Sequence, residues 1–252
     1  ITFSVWRAIF LREALSRLFG ERAAWFWLLI EPIMHIAFLV WIWTVVRVRS
    51  MGGIDVAIWL MVGLLSFFLF RRTGLQVMHA VDSNRPLFAY RQVKPFDTAL
   101  VRGVLEAFLM ALISAAILLA ATLLGHAAIP EDPLLVLWAA CGLWLLGMGY
   151  GLVASVLMML VPELKHILNI LMLPMYLISG VIWPLAAMPP YWRNLLMLNP
   201  IAHGIEAVRL GFVPYYHAAP ETSLFYLHAF AVAFIFFGLL LYRHFALRLV
   251  MQ

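Results

Sequence analysis

Apolar stretches long enough to cross a bilayer recur along this chain, at residues 23–46, 56–79, 98–124, 134–160, 167–183 and 224–241, each closed by a short polar or basic segment. A hydrocarbon core takes about 20 apolar residues in helical form, because in lipid every backbone N–H and C=O must find its partner within the segment. The pattern predicts an all-α polytopic membrane protein with six transmembrane helices, forming one transmembrane domain over residues 1–252. With 65% hydrophobic and only 12% charged residues, an ordinary soluble domain is excluded.

One apolar stretch does not read as a continuous helix. From Ile178 to Phe212 the chain carries Pro184, Pro189, Pro190 and Pro200, each lacking an N–H and clashing with the preceding turn. Short helices joined by turns are expected there, beside a path rather than against lipid. Broken backbone at membrane depth needs protein or a water-filled cavity to pair its polar groups. Asn199 before Pro200 is a helix start, and Ile201, Ile205, Val208 and Phe212 follow at helical spacing. Glu206 and Arg209 sit three apart and are expected to pair across one turn, for tenths of a kcal/mol.

The polar residues among the apolar runs carry the rest of the information. Arg7, Arg12, Arg17 and Arg22 lie among Trp6, Ile9, Phe10, Leu18 and Phe19 in residues 1–22, a mixture suited to an interfacial helix or to burial against a partner subunit. Glu31, followed by Pro32, lies within the first run and is expected to pair with an arginine near the inner interface. Trp41 and Trp43 suit its outer end. In the second run, Arg71 and Arg72 are about 100° apart on a helix, so at least one turns inward. They form a cationic site for an acidic substrate or a lipid phosphate, or else snorkel to headgroups or pair with Glu106. The polar connection 82–97 contains NRPLFAYRQVKP, where a short helix starting near Pro86 exposes Arg85, Arg91 and Lys94 beside Leu87, Phe88 and Tyr90. That suits a docking peg or packing against neighbouring span ends. Arg102 and Glu106 share one face of the third run. Gly142, Gly147, Gly149 and Gly151 permit close helix approach in the fourth, and Pro174 interrupts the fifth.

Orientation follows from the basic residues. With both termini inside, the inner segments carry Arg7, Arg12, Arg17, Arg22, Arg85, Arg91, Lys94, Lys165, Arg243 and Arg248, and the outer ones Arg47, Arg49, Arg193 and Arg209. The positive-inside rule selects this topology, placing 84–95 in the cytoplasm and the broken stretch outside. The basic residues form no stripe or block, which argues against nucleic acid.

Several chemistries are missing. No G-x-x-x-x-G-K-[ST] occurs, so the chain does not bind ATP through a P-loop; there is no H-E-x-x-H, no G-x-S-x-G and no carboxylate pair in mid-span. Neither catalysis nor a metal site is expected, and the lone Cys141 precludes an intrachain disulfide.

The segments EPIMH at 31–35, GLLSFFLFRRTGLQVMHAV at 63–81, NRPLFAYRQVKPFDTALVRGVLE at 84–106 and ISGVIWPLAAMPPYWRNLLMLNPIAHGIEAVR at 178–209 together resemble the membrane subunit of type-2 ABC exporters, most closely the capsular polysaccharide export permeases. The resemblance covers essentially the whole chain. It implies a bacterial inner-membrane homodimer with two cytosolic ABC ATPase subunits, which hold the ATP and Mg²⁺, and no cofactor on this chain. Asn84, Arg85, Pro86, Leu87, Phe88, Tyr90, Arg91 and Lys94 match the coupling helix. Residues 178–212 match re-entrant helices at the outer gate, with Pro184, Tyr191, Trp192, Asn199 and Pro200. Arg71 and Arg72 match a basic position near substrate entry, and Trp41, Trp43, Phe67, Phe68, Tyr176 and Trp183 are candidate path aromatics. The implied cargo is a lipid-linked acidic capsular polysaccharide, passed to a periplasmic copolymerase and an outer-membrane exporter. O-antigen, teichoic acid, a lipid or a drug carried by the same class remains open, as does an ATPase-independent transporter or scaffold.

Overall fold

The computed structural model describes residues 2–19, 24–46, 50–90 and 92–251; Arg22, Arg47, Arg49 and Arg91 lie outside the described residues. Helices α1 (Thr2–Phe19) and α2 (Ala24–Val45) open the chain, and a two-residue antiparallel pair, β1 (Ser50–Met51) and β2 (Ile54–Asp55), turns it back. Gly52 and Gly53 make that turn with φ of 57° and 92°, the left-handed backbone that a two-residue hairpin requires. The hairpin is absent from the sequence expectations, although a Gly-Gly pair is its signal.

Helix α3 (Val56–Met78) starts at Asp55, whose carboxylate accepts from the N–H groups of Ala57 and Ile58. It is followed by α4 (Ala80–Ser83) and a 3-10 turn, Arg85–Ala89. Helix α5 (Pro95–Leu123) begins three residues before the expected start, because the Asp97 carboxylate accepts the Lys94 N–H at 2.9 Å and Pro95 fills the first helical position. Helix α6 (Pro133–Leu160) is capped by Asp132, whose carboxylate accepts the Leu135 N–H at 3.0 Å. The fifth apolar run is two short helices, α7 (Leu164–Ile170) and α8 (Met172–Ile178). The interruption expected at Pro174 falls one turn before it: Pro174 lies in the first turn of α8 and has no N–H to give the Ile170 carbonyl that ends α7. The broken stretch is a 3-10 turn, Leu185–Ala187, then α9 (Pro190–Leu196) and α10 (Pro200–Phe212); α11 (Leu224–His244) and α12 (Ala246–Met251) close the chain.

Helices α3, α5, α6 and α11 are long and apolar enough to span a bilayer, with shorter apolar segments at Ile30–Trp43 and Leu164–Ile178. The chain is therefore a polytopic, helical membrane protein. Helix α3 is buried along most of its length, whereas α11 turns most of its surface outward, as a lipid-facing helix does. Lipid tails are as apolar as leucine, so helices in a bilayer hold together by close packing and polar ties rather than by water exclusion. Helix α6 shows the close packing. A Cβ on Gly147 would stand 2.7 Å from the Phe70 carbonyl oxygen on α3, and one on Gly149 would stand 2.8 Å from the Ile235 nitrogen on α11. The glycines let α6 press its backbone against both neighbours.

Candidate functional site

The polar ties converge on α1. Its buried Glu13 accepts from Arg102 Nε at 3.2 Å and Nη2 at 3.1 Å, and from Asn84 Nδ2 at 3.0 Å. Arg102 Nη1 in turn donates to the His79 carbonyl at 3.3 Å and to Ser83 Oγ at 3.2 Å, so one guanidinium on α5 joins α1 to the end of α3 and to α4. Asn84 also donates to the Ala80 carbonyl at 2.9 Å and accepts from Arg12. Trp6 Nε1 donates to Asp97 at 2.8 Å, pinning α1 to the start of α5. Burial opposes ionisation of Glu13, but Arg102, the hydrogen bonds from Asn84 and Arg102, and Arg17 outweigh it and hold the carboxyl below its ordinary value of 4.5. Sequence reasoning singled out the arginines of α1 and missed Glu13, although an acid among Arg7, Arg12 and Arg17 is itself a signal.

Asn84 and Phe88 point inward, whereas Arg85, Pro86, Tyr90 and Lys94 are exposed and Leu87 is half-buried. Arg85 bonds Asp82 across 2.9 Å. The segment thus has an inner edge bolted to α1 and an outer edge open to a partner; Arg91 is outside the described residues.

Farther along α3, the two neighbouring arginines part company. Arg72 Nε meets Glu106 Oε1 at 2.7 Å, and Arg17 Nη1 reaches Glu106 Oε2 at 2.5 Å while its Nη2 donates to Gln76 at 2.6 Å. Of the alternatives left open for the arginine pair, Arg72 takes the internal pairing with Glu106 and Arg71 does not. Among the described residues Arg71 has no ion-pair partner, and it is half-buried. Glu31 differs from expectation: it is exposed and has no arginine partner among the described residues.

The candidate path aromatics divide. Phe67, Phe68 and Tyr176 are packed inside, with the Phe67 and Tyr176 rings edge to face at 5.2 Å. Half-buried Trp43 and exposed Trp183 pair edge to face at 6.3 Å, and Trp41 stacks on Phe38 on an exposed surface of α2. His35, which sequence reasoning did not select, joins the inner group: its Nε2 lies 3.2 Å from the Tyr176 hydroxyl.

At the other end, α10 supplies the groups that the broken backbone lacks. Arg209 donates to the carbonyls of Gly180 at 2.9 Å and Val181 at 3.1 Å, and its guanidinium lies 3.7 Å from the centre of the Trp59 ring. Glu206 accepts from Arg209 at 3.0 Å, from the Tyr216 hydroxyl at 3.0 and 3.1 Å, and from the Ala219 N–H at 3.0 Å. His203 accepts the Ser223 N–H on Nδ1 at 2.9 Å, which puts its proton on Nε2 to donate to the Met197 carbonyl at 2.7 Å. One face of α10 thereby pairs irregular backbone on both sides of it. Of the expected gate residues, Asn199 caps α10 through the Ile201 N–H and donates to Ser179 Oγ at 2.8 Å, while Tyr191 and Trp192 are exposed on α9 and Pro184 and Pro200 are half-buried. The Glu206–Arg209 pair forms as expected but is fully buried, so the tenths of a kcal/mol assigned to an exposed helical pair do not apply.

Among the described residues no His, Cys, Asp and Glu cluster suits a metal ion. An apolar cavity of about 450 Å³ lies between α3, α5, α6 and α10 and is lined by neither Arg71 nor His203, Glu206 and Arg209.

The family model described as ABC-2 type transporter matches residues 4–213. The polysialic acid transport protein KpsM of Escherichia coli is 34% identical over 238 residues, covering 94% of this chain and 91% of that protein. The capsule polysaccharide export inner-membrane proteins CtrC of Neisseria meningitidis serogroup A and BexB of Haemophilus influenzae are each 22% identical, over 209 and 205 residues, covering 81% of this chain and 77% of each.

Proposed function

Because the chain belongs to the ABC-2 type transporter family, we propose that it is the inner-membrane permease subunit through which a lipid-linked acidic capsular polysaccharide leaves the cytoplasm. The observation that carries this reading is the similarity to capsule-export permeases over most of the chain, including KpsM at 34% identity over 94%. Such a membrane domain is a permease and not itself an enzyme.

In this reading two copies pair with two cytosolic ABC ATPases, which bind ATP and Mg²⁺. Helices α2, α3, α5, α6, the α7–α8 pair and α11 are the six spans, with both termini in the cytoplasm; α1 is interfacial, and 178–212 re-enters from the outer face as the gate. The exposed edge of 85–94 docks the ATPase. Its inner edge passes the movement on, through Asn84 to Glu13 and Arg102. Arg71 takes the anionic end of the lipid-linked glycan, and Trp43 and Trp183 offer flat apolar faces on which sugar rings slide. A periplasmic copolymerase and an outer-membrane exporter receive the polymer.

The test is purification from native cells in mild detergent, with and without charge reversal at Arg85, Arg91 and Lys94, alongside deletion of the gene. An ATPase recovered with the native chain and lost with the reversed one, and acidic lipid-linked glycan accumulating inside deleted cells, are the expected results. An intact dimer without an ATPase refutes the exporter; accumulation of a different lipid-linked polymer refutes the cargo.

A further inference from the structure

We propose that His35 is a specificity-determining residue that, with Arg71, binds the oxyanion of the exported lipid-linked glycan at the junction of α2, α3 and α8. The inference rests on the exporter reading above and deepens it, since Arg71 alone was assigned to the anionic end.

A histidine in a spanning helix is costly unless it faces the bundle and finds a partner, and intramembrane ionisable groups mark substrate pathways by default. His35 satisfies both conditions. Its ring stands edge-on to Phe68 at 5.6 Å and to Tyr176 at 5.7 Å, so α2 reaches both α3 and α8 at this point. Phe67 closes the group from behind against Tyr176. These aromatics are buried and form a wall rather than a sugar-stacking surface.

The open side of that wall is polar. Tyr176 hydrogen-bonds Nε2 of His35; with the hydroxyl as donor, the imidazole proton sits on Nδ1. Nδ1 has no hydrogen-bond partner among the described residues and is not one of the fully enclosed side-chain atoms that lack one. The same holds for the Arg71 guanidinium, one helical turn beyond Phe67 and within electrostatic reach of His35. Glu31, one turn before His35 and exposed, also acts on the ring electrostatically. A donor on an aromatic wall, with an unpaired guanidinium one turn along α3 from Phe67 and Phe68, suits a phosphate or a sugar carboxylate able to accept from both. The held Nδ1–H adds direction to the diffuse attraction of Arg71.

The experiment measures ATP hydrolysis by the reconstituted complex of this chain with its ATPase. Dodecyl phosphate represents the lipid end, dodecyl glucuronide an acidic sugar, and dodecyl maltoside a neutral one. His35→Gln is expected to raise the half-stimulating concentration of one or both acidic probes about fivefold, with maximal stimulation retained and the maltoside response unmoved. The acidic probe that responds identifies whether the lipid end or the sugar is bound. Glu31→Gln is expected to lower the half-stimulating concentration for that probe by removing a competing carboxylate. If Arg71→Gln weakens the acidic probes and His35→Gln does not, the inference falls and the exporter reading stands. An equal loss for all three probes in His35→Gln makes the histidine merely structural and also overturns it. If neither variant changes the response to any probe, the anion site of the exporter reading fails with it.

Discussion

Arg209 lies 3.0 Å from Glu206 with both side chains wholly enclosed, and the same guanidinium bonds the carbonyls of Gly180 and Val181. A buried ion pair repays its desolvation only where further hydrogen bonds satisfy the remaining donors and acceptors. Here Nη1 and Nη2 of Arg209 bond backbone that cannot pair with itself, because Gly180 turns the chain with φ of 74° and Pro184, Pro189 and Pro190 interrupt the residues beyond it, while Nε is buried without a partner. The pair exchanges its own solvation for that of the broken stretch.

Removing one partner should therefore be far more harmful than an exposed pair implies. Arg209→Met leaves a buried carboxylate without a counter-charge, and we expect a loss of about 3–5 kcal/mol. Adding Glu206→Gln should recover part of it. Equilibrium unfolding of both variants in mixed micelles measures this; an Arg209→Met protein as stable as the parent contradicts the assignment.

The Glu13 carboxyl is held below 4.5 in the folded protein, so the unfolded chain binds its proton more readily than the folded one. Its contribution to docking α1 is fully present above pH 4.5 and is lost as pH falls through the depressed folded value. Hydrogen exchange of α1 should be flat from pH 8 to 5, after correction for intrinsic rates, and then rise more steeply than in α3. In Glu13→Gln the exchange of α1 should be faster at neutral pH and lack that additional acid-dependent rise.

Glu106 has two guanidinium partners, and its variants should not be equivalent to theirs. Glu106→Gln leaves Arg17 and Arg72 facing each other, at a cost of about 3–5 kcal/mol. Arg72→Gln leaves Glu106 paired with Arg17 and should cost about 1–2 kcal/mol. Unfolding midpoints that rank the two variants in the reverse order would contradict Glu106 as the centre of the cluster.

Close packing gives a further expectation. Gly147→Ala drives a methyl group toward the Phe70 carbonyl oxygen, and a backbone atom inside a helix cannot step aside as a side-chain tip can. We expect about 1–3 kcal/mol of destabilisation. Gly125→Ala meets no atom within 4 Å and is strained only by its φ of 91°, so it should cost about 1 kcal/mol. Thermal unfolding of the two in one detergent compares them.

The helices were legible because lipid enforces one rule, and Asn199 marked a helix start by chemistry that acts within three residues; Asp55 and Asp132 cap α3 and α6 by the same chemistry but were not singled out. The partners were not legible. Glu13 finds Arg102 and Arg17 finds Glu106 across 89 residues, and His35 finds Tyr176 across 141, distances over which periodicity carries no information. Arg71 and Arg72 are neighbours with identical side chains, and only the direction of Glu106 separates the paired one from the open one. The same holds for Phe67 and Phe68, whose burial comes from α3 lying at the centre of the bundle.

If residues 84–94 dock an ATPase as proposed, their two edges separate holding it from responding to it. Asn84 is almost wholly buried and ties the segment to Glu13 and to the Ala80 carbonyl, whereas Lys94 and Tyr90 are exposed. Asn84→Ala should leave the docking surface in place, so the ATPase still co-purifies, while the segment moves without drawing α1 and α5 with it. Glycan exported per ATP hydrolysed should then fall several-fold. Lys94→Glu should instead weaken recovery of the ATPase and reduce export and hydrolysis together. Counting both products in inverted membrane vesicles tests the difference: an Asn84→Ala complex with unchanged export per ATP would mean that movement reaches the spans through the backbone of α4 and not through the side chains that join it to α1.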